Sequence, residues 1–230
     1  MGCARGRTRT TIHEGLMLGP KGAAISAGEV PARQSPPSPA TRQAQAFALL
    51  QTLNARLLAS HSATSTLEQW RLERPSAGDA AIRARRVAGV DKPASAEQRE
   101  RLEVGRRERV VYRRVELACG ERVLSEAENW YVPSRLTAEI RKVLADSDTP
   151  FGRAVMDLNP VRETFAVEVF WRPEDLSGAL DQPGFDFAIP RRLFQHRALV
   201  YGDNRRPFSE VNETYTNEIL AFGPPALASG

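Results

Sequence analysis

The chain has 230 residues, of which 41% are hydrophobic and 26% are charged, and its formal net charge is +4 at pH 7. These proportions are typical of globular proteins, and the length suits one domain with tails. A net charge of +4 is too small to indicate a nucleic-acid partner, and no run approaches the roughly 18 apolar residues of a membrane-spanning helix. We therefore expect a soluble, cytoplasmic protein that binds neither nucleic acid nor a membrane.

Residues that commonly bind metals or act as nucleophiles form no known motif in this sequence. Cys3 and Cys119 are far apart and have no cysteine or histidine at metal-ligand spacing, so they predict neither a zinc site nor a disulfide framework. The sequence also lacks a glycine-rich phosphate loop and an HExxH motif. His61 and His196 stand at no recognisable spacing from a serine or cysteine nucleophile, so a hydrolase is not indicated.

The two ends of the chain have a different composition from its middle. Residues 1–40 contain scattered glycine, arginine and serine and end in a proline-rich run, which is typical of a disordered tail. The first residues lack the continuous apolar core of a signal peptide. We expect one folded domain over residues 41–223 and a flexible tail over residues 224–230.

The domain is predicted to begin with an amphipathic helix. Apolar residues recur at three- and four-residue spacings after Thr41, which is a plausible N-cap. Residues 60–70 then leave helical spacing, and a strand is expected near residues 82–90. The charged stretch that follows it reads as a connection.

Period-two alternation then predicts a series of strands, at residues 109–118, 122–132, 162–171, 196–202 and 207–216. A short hairpin-like link joins the first two, and helices are expected at residues 137–145 and just after Thr149. The long Pro/Gly-rich segment 172–190 is either a cover over a site or a surface excursion. This order indicates an α+β domain with a mainly antiparallel β-sheet flanked by helices.

Glu213 is a carboxylate between two core-type side chains of the last strand. Alternation places it on the face of Val211 and Tyr215, whereas the opposite face, with Glu210, Asn212 and Thr214, reads as the solvent side. A buried carboxylate costs several kcal/mol unless it has a partner. Glu213 is therefore either a buried functional or paired group, or part of a sheet edge that is wet on both faces.

Arg113 is turned inward by the same reasoning, because it shares a face with Val111 and Val115. A plain ion pair between Arg113 and Glu213 would satisfy both groups without any ligand. The alternation leaves open which face Glu126 and Glu128 of the neighbouring strand occupy, although two adjacent carboxylates are more often solvated than catalytic.

The segment DTPFGRAV has the composition of a helix start. Thr149 can cap the helix and Pro150 fits its first position, so that the free N–H groups of Phe151 and Gly152 point outward. Such an end attracts carboxylates or phosphates. Because every helix has one, this feature alone is a weak indication of a site.

Four segments in this order resemble the chorismate lyase family and the related ligand-sensing UTRA domains over about residues 45–222: LLASHSATSTLEQW, RRVELACGERVLSEAENWYVP, TPFGRAV and RRPFSEVNETYT. The resemblance implies a mainly antiparallel sheet flanked by helices, with a small carboxylate ligand enclosed beneath covering loops. It implies neither a metal nor an organic cofactor.

The resemblance also implies site residues. The family's substrate-binding arginine corresponds to Arg113, its backbone contact in a TPLG turn to Phe151, and its acidic residue near the last strand to Glu213. An early methionine contact falls near Ala63. The implied reaction is elimination of pyruvate from chorismate to give 4-hydroxybenzoate, with Arg113 and the amides of Phe151 and Gly152 on substrate carboxylates and Glu213 near the ring hydroxyl and the leaving oxygen.

The sequence leaves three functional readings open. The first is a chorismate pyruvate-lyase, although Phe151 replaces the family's leucine and Ala63 its methionine, which leaves the substrate open. The second is a non-catalytic UTRA-like module that senses a small molecule. The third is a fold without a ligand, in which Arg113 and Glu213 merely pair. The oligomeric state is not indicated.

Overall fold

The computed structural model describes residues 37–74, 80–89, 91–172 and 189–222. The first 36 residues of the predicted N-terminal tail, the predicted C-terminal tail and most of the long Pro/Gly-rich segment lie outside the described residues.

Six antiparallel strands form one sheet in the order β1-β2-β3-β6-β5-β4. The strands are β1 (Ile82–Arg86), β2 (Val111–Cys119), β3 (Arg122–Tyr131), β4 (Val161–Val169), β5 (Arg192–Tyr201) and β6 (Pro207–Thr216). A strand was expected near each of these positions, and the predicted α+β class with a mainly antiparallel sheet is confirmed. The hairpin between β2 and β3 turns at Gly120, whose φ of 57° is a left-handed conformation that glycine adopts without strain.

Five α-helices accompany the sheet in the described part of the chain: α1 (Pro39–Leu58), α2 (Ala63–Leu72), α3 (Ala96–Arg101), α4 (Ala138–Asp146) and α5 (Phe151–Ala154). Single turns of 3₁₀-helix follow β3 and α5, and a longer one, Asn217–Phe222, follows β6. None of the described helices has both the length and the apolar composition that crossing a membrane requires.

Three predictions differ from the structure in their helices: one N-cap and two segments that were expected to be irregular. The helix α1 begins at Pro39, and the N-cap is Ser38, whose Oγ accepts from the backbone N–H of Thr41. Residues 63–72 form α2, capped by Ser62, where we expected irregular chain. The charged connection after β1 contains α3, which begins with a capping box of Ser95 and Gln98.

The inner face of the sheet carries two apolar clusters. The larger one joins α1 and α2 to the sheet and includes Leu53, Trp70 and Tyr215, and the smaller one joins α4 and α5 to the sheet near Val211. On the outer face, Leu102 packs with residues of β3 in a third cluster. The central strand β6 is therefore covered on both faces.

Candidate functional site

Glu213 lies in the middle of the central strand, on the inner face of the sheet. Its cross-strand neighbours are Ala127 on β3 and His196 on β5. Only 8% of the residue is exposed. Glu213 is therefore not part of a sheet edge that is exposed to water on both faces, and the alternative that it is buried is confirmed.

The partner of Glu213 is Arg162, not Arg113. Arg162 Nη2 donates to Glu213 Oε2 at 2.8 Å, and Tyr215 Oη donates to the same oxygen at 3.2 Å. The other end of the Arg162 guanidinium, Nη1, donates to Thr164 Oγ1 at 2.7 Å. The ion pair between Arg113 and Glu213 that the sequence left open is not formed, because Arg113 lies across β3 from Val211 rather than from Glu213 and donates to the Thr149 carbonyl.

Glu213, Arg162 and Tyr215 form a buried cluster. The opposite charges of Arg162 and Glu213 offset each other in it. Burial opposes the charged form of Arg162, but the nearby Glu213 and Tyr215 favour it, and the net result raises the pKa of Arg162. Burial, and then the negative charge of Glu213, raise the pKa of Tyr215 well above its ordinary value. Tyr215 is therefore a neutral donor toward a carboxylate that the arginine neutralises.

His196 completes the buried group as a neutral imidazole. It has no exposed surface, and its Nε2 lies 2.7 Å from Asn54 Oδ1 of α1. Burial, followed by the positive charge of Arg162, lowers the pKa of His196 to about 3. Since Oδ1 of Asn54 only accepts, Nε2 carries the proton.

Arg113 points inward, as predicted, and only 3% of it is exposed. Its Nη2 donates to the backbone carbonyl of Thr149 at 3.3 Å, whereas Nε and Nη1 are buried without an acceptor among the described residues. Burial, and then the charge of Arg86, lower the pKa of Arg113 to about 10. Unlike Arg162, this cation has no carboxylate partner within the described part of the chain.

A cavity lies on the inner face between the starts of α2 and α5 and the central strands. Its volume, counted as the space that the centre of a water molecule can reach, is about 40 Å³. Four of the five residues that the family resemblance implied are in its wall: Ala63, Phe151, Gly152 and Glu213. Arg113 is not in that wall, but its same-face neighbour Val115 and its cross-strand neighbour Asn129 are.

The cavity is narrow where α5 approaches α2. A Cβ atom added to Gly152 would stand 3.1 Å from Thr64 Oγ1 and 3.3 Å from Ser62 Oγ. Glycine is therefore what permits this distance between the two helix starts. Phe151 closes the adjacent side, with its ring centroid 6.0 Å from that of Tyr131.

The predicted capping of α5 is wrong. Pro150, rather than Thr149, is the N-cap residue, and it provides no side-chain acceptor. The Thr149 hydroxyl is instead 2.9 Å from that of Ser147. Because α5 has only four residues, its start is not an anion site on its own, and Phe151 and Gly152 contribute to the site as cavity wall.

The acidic residues of the outer face do not reach the cavity. Glu126 accepts from Arg191 at 2.8 Å, and Glu128 accepts from Tyr112 at 2.7 Å. The prediction that Glu210 faces solvent is wrong, because the residue is 1% exposed. The guanidinium of Arg101, at the end of α3, covers it with hydrogen bonds of 2.8 and 2.9 Å.

Sequence reasoning missed three polar residues of the site. Arg162 stands one residue inside β4 and shares its face with Thr164, so alternation could have turned it inward. Asn129 occupies the same face of β3 as Ala127. His196 stands at no recognisable spacing from a nucleophile, and nothing in the sequence indicates its position beside Glu213. Within the described ranges, no group of three or more His, Cys, Asp or Glu side chains is placed to hold a metal ion.

Comparisons with solved structures give similarities at low identity. The effector domain of PhnF from Mycobacterium smegmatis is 11% identical, with a TM-score of 0.46 over 68% of this chain and 90% of that one. The ligand-binding domain of a protein assigned to the GntR family of transcriptional regulators, from Bordetella bronchiseptica, is 20% identical, with a TM-score of 0.39 over 60% of this chain and 85% of that one.

Comparison with protein sequences gives a much closer relative. No family model matches the chain. The uncharacterized protein y4mC of Sinorhizobium fredii is 43% identical over 209 residues, which are 88% of this chain and 88% of that protein. The chain therefore belongs to the same protein family as y4mC of Sinorhizobium fredii.

Proposed function

We propose that this chain binds a small carboxylate ligand in the cavity between α2, α5 and the central strands. The observation that carries the proposal is the contrast between the two buried arginines of the inner face. Arg162 is neutralised by Glu213 at 2.8 Å. Arg113 has one hydrogen bond, to the Thr149 carbonyl, and no carboxylate among the described residues.

A buried cation without a counter-ion is costly. Removing charge from water costs several kcal/mol per ion, and only a well-placed opposite charge with hydrogen bonds offsets this cost. A ligand carboxylate can supply both the opposite charge and the hydrogen bonds, because it accepts two parallel N–H bonds from one guanidinium. Two nitrogens of Arg113, Nε and Nη1, lack acceptors among the described residues, so the guanidinium has donors left for a ligand carboxylate.

The position of Arg113 agrees with a ligand in the cavity. Val115, the next residue of β2 on the same face, lines the cavity, and so does Asn129, which pairs with Arg113 across β3. A ligand that enters between Asn129 and Phe151 would place its carboxylate beside the guanidinium and its remaining atoms against the apolar wall.

The ligand has to be small, or the cavity has to widen. About 40 Å³ holds a few water molecules, whereas pockets for larger ligands have volumes of about 300–1,000 Å³. Because Thr64 and Gly152 bring α2 and α5 together, we propose that these two helix starts separate when a ring-sized carboxylate binds.

Binding is tested by calorimetric titration of the purified protein with benzoate and 4-hydroxybenzoate, and with benzamide as a neutral ligand of the same shape. The carboxylates should bind and raise the melting temperature, whereas benzamide should do neither. Equal binding of benzoate and benzamide, or no binding of either carboxylate, would contradict the proposal.

Elimination of pyruvate from chorismate is the second candidate function. It is favoured by the position of Ala63, Phe151, Gly152 and Glu213 in one cavity wall, as the family resemblance implied. Both donors of the cluster bind Glu213 Oε2, so Oε1 is available to accept a bond from the substrate's ring hydroxyl. Arg113 would hold a carboxylate, and closure of the cavity would exclude water.

The two candidates are separated by one assay. Pyruvate release from chorismate is followed by coupling to NADH oxidation by lactate dehydrogenase. If the protein releases pyruvate faster than the uncatalysed rate, and if Glu213→Gln lowers that release, the lyase is established. Chorismate or 4-hydroxybenzoate that stabilises the protein without pyruvate release would establish a ligand-sensing module instead.

A further inference from the structure

Asn129 is a buried amide in the wall of the cavity. It lies on β3 between Arg113 of β2 and Val211 of β6, on the inner face of the sheet. Only 2% of it is exposed, and it lines the cavity together with Glu213. Its place in the sequence, between Glu128 and Trp130, gave no indication of a site.

The amide nitrogen of Asn129 has no hydrogen-bond acceptor among the described residues. Buried side-chain amides are normally hydrogen-bonded, so an exception in a cavity wall calls for an acceptor other than those that the described residues provide. The carboxylate of Glu213 is not that acceptor, because the donors that reach it come from Arg162 and Tyr215.

Arg113 is the direct cross-strand neighbour of Asn129. Directly opposed side chains on one face have Cβ atoms about 4.5–5.5 Å apart. Neighbouring side chains on the inner face therefore carry nitrogens without acceptors, namely Nδ2 of Asn129 and Nε and Nη1 of Arg113. One carboxylate or phosphonate has enough lone pairs to accept from the amide and from one side of the guanidinium.

We propose that Asn129 contacts the ligand and forms, with Arg113, the seat for its anionic group. This inference rests on the proposed binding function and adds a residue that determines specificity. The guanidinium supplies charge, and the amide supplies a donor that fixes the orientation of the anion on the cavity side. A neutral isostere such as benzamide offers one acceptor oxygen and no charge to offset that of Arg113.

The decisive variant is Asn129→Asp. It keeps the shape of the side chain but places a carboxylate beside Arg113, where we expect the ligand's own anionic group. The built-in carboxylate should pair with Arg113, raise the melting temperature of the ligand-free protein, and weaken benzoate binding by about 100-fold or more through repulsion and competition. Asn129→Leu should weaken binding by about 10-fold, as the loss of one hydrogen bond to a charged group does.

Asn212→Asp is the matched control, because Asn212 lies on the neighbouring strand between Glu128 and Arg197 on the outer face. Its benzoate affinity should equal that of the unaltered protein. Titration with benzoate and phenylphosphonate identifies which anion the seat prefers, and each should respond to Asn129→Asp in the same direction.

The results distinguish this inference from the proposed function. If the unaltered protein binds neither probe, the proposed function fails and this inference with it. If the unaltered protein binds benzoate and both Asn129 variants bind it equally well, water is the acceptor of the amide and the inference about Asn129 alone is overturned. An Asn129→Asp protein that melts below the unaltered one would likewise contradict the pairing with Arg113.

Discussion

Arg162 of β4 and Glu213 of β6 form an ion pair across the intervening strand β5, with 2.8 Å between Nη2 and Oε2. Their side chains are 4% and 11% exposed, respectively. Removing one partner of such a pair leaves the other as an uncompensated buried charge. We expect Glu213→Leu to lower the free energy of unfolding by about 3–5 kcal/mol, as measured by urea denaturation.

The double variant is the control for that prediction. Arg162→Met together with Glu213→Leu replaces the pair by apolar side chains of similar size and should recover most of the lost stability. If the double variant is as unstable as the sum of the two single variants, the pair does not carry the coupling that the geometry implies.

Because its pKa is lowered in the folded chain, His196 should make the stability of the protein depend on pH. The pKa of this histidine is lowered from its ordinary value of 6.5 to about 3 in the folded chain, so the unfolded chain binds the proton more readily. The stabilising contribution of the neutral imidazole is therefore complete above about pH 6.5 and is lost as the pH falls toward 3. Between pH 6.5 and pH 5 we expect a loss of about 1–2 kcal/mol in the free energy of unfolding.

His196→Gln isolates this effect, because glutamine can still bond to Asn54 but does not titrate. The variant should be less stable at pH 7 and should show a flatter dependence between pH 7 and pH 5. A slope equal to that of the unaltered protein would assign the pH dependence to other groups.

Gly152 predicts a steric effect on the cavity. A Cβ here would stand 3.1 Å from Thr64 Oγ1, whereas a Cβ at Gly105 would meet no atom within 4 Å. Gly152→Val should therefore push α5 from α2, lower stability and alter benzoate affinity, and Gly105→Val should leave the affinity unchanged. Unaltered binding by Gly152→Val would show that this contact does not shape the ligand site.

Alternation in the sequence was sufficient for the strands and for the direction of single side chains. It predicted the inward direction of Arg113, which is confirmed, and it placed Glu213 on the face of Val211 but left open whether that face is buried, as it is in the structure. It could not predict that Glu210 is buried, because alternation identifies residues that share a face but not the element that covers it. The covering element is the end of α3, where Arg101 reaches Glu210.

The pairing of charges depended on strand order, which the sequence does not display. Arg113 and Glu213 both face inward, but Arg113 lies in the row of Asn129 and Val211, two residues along β6 from Glu213. Arg162 of β4 reaches Glu213 across β5. The missed helices had readable starts, since Ser62 and Ser95 cap them, but their few apolar residues gave no clear helical period.

Arg113, the buried cation without a carboxylate among the described residues, is the residue on which the proposed ligand binding depends most directly. The measurement is urea unfolding of Arg113→Met without ligand, combined with benzoate titration of the folded variant, with Arg162→Met as the matched arginine control. We predict that Arg113→Met unfolds at the same or a higher urea concentration than the unaltered protein and no longer binds benzoate, whereas Arg162→Met is strongly destabilised. An Arg113→Met protein that retains benzoate affinity, or that loses as much stability as Arg162→Met, would contradict the proposed role of Arg113 in ligand binding.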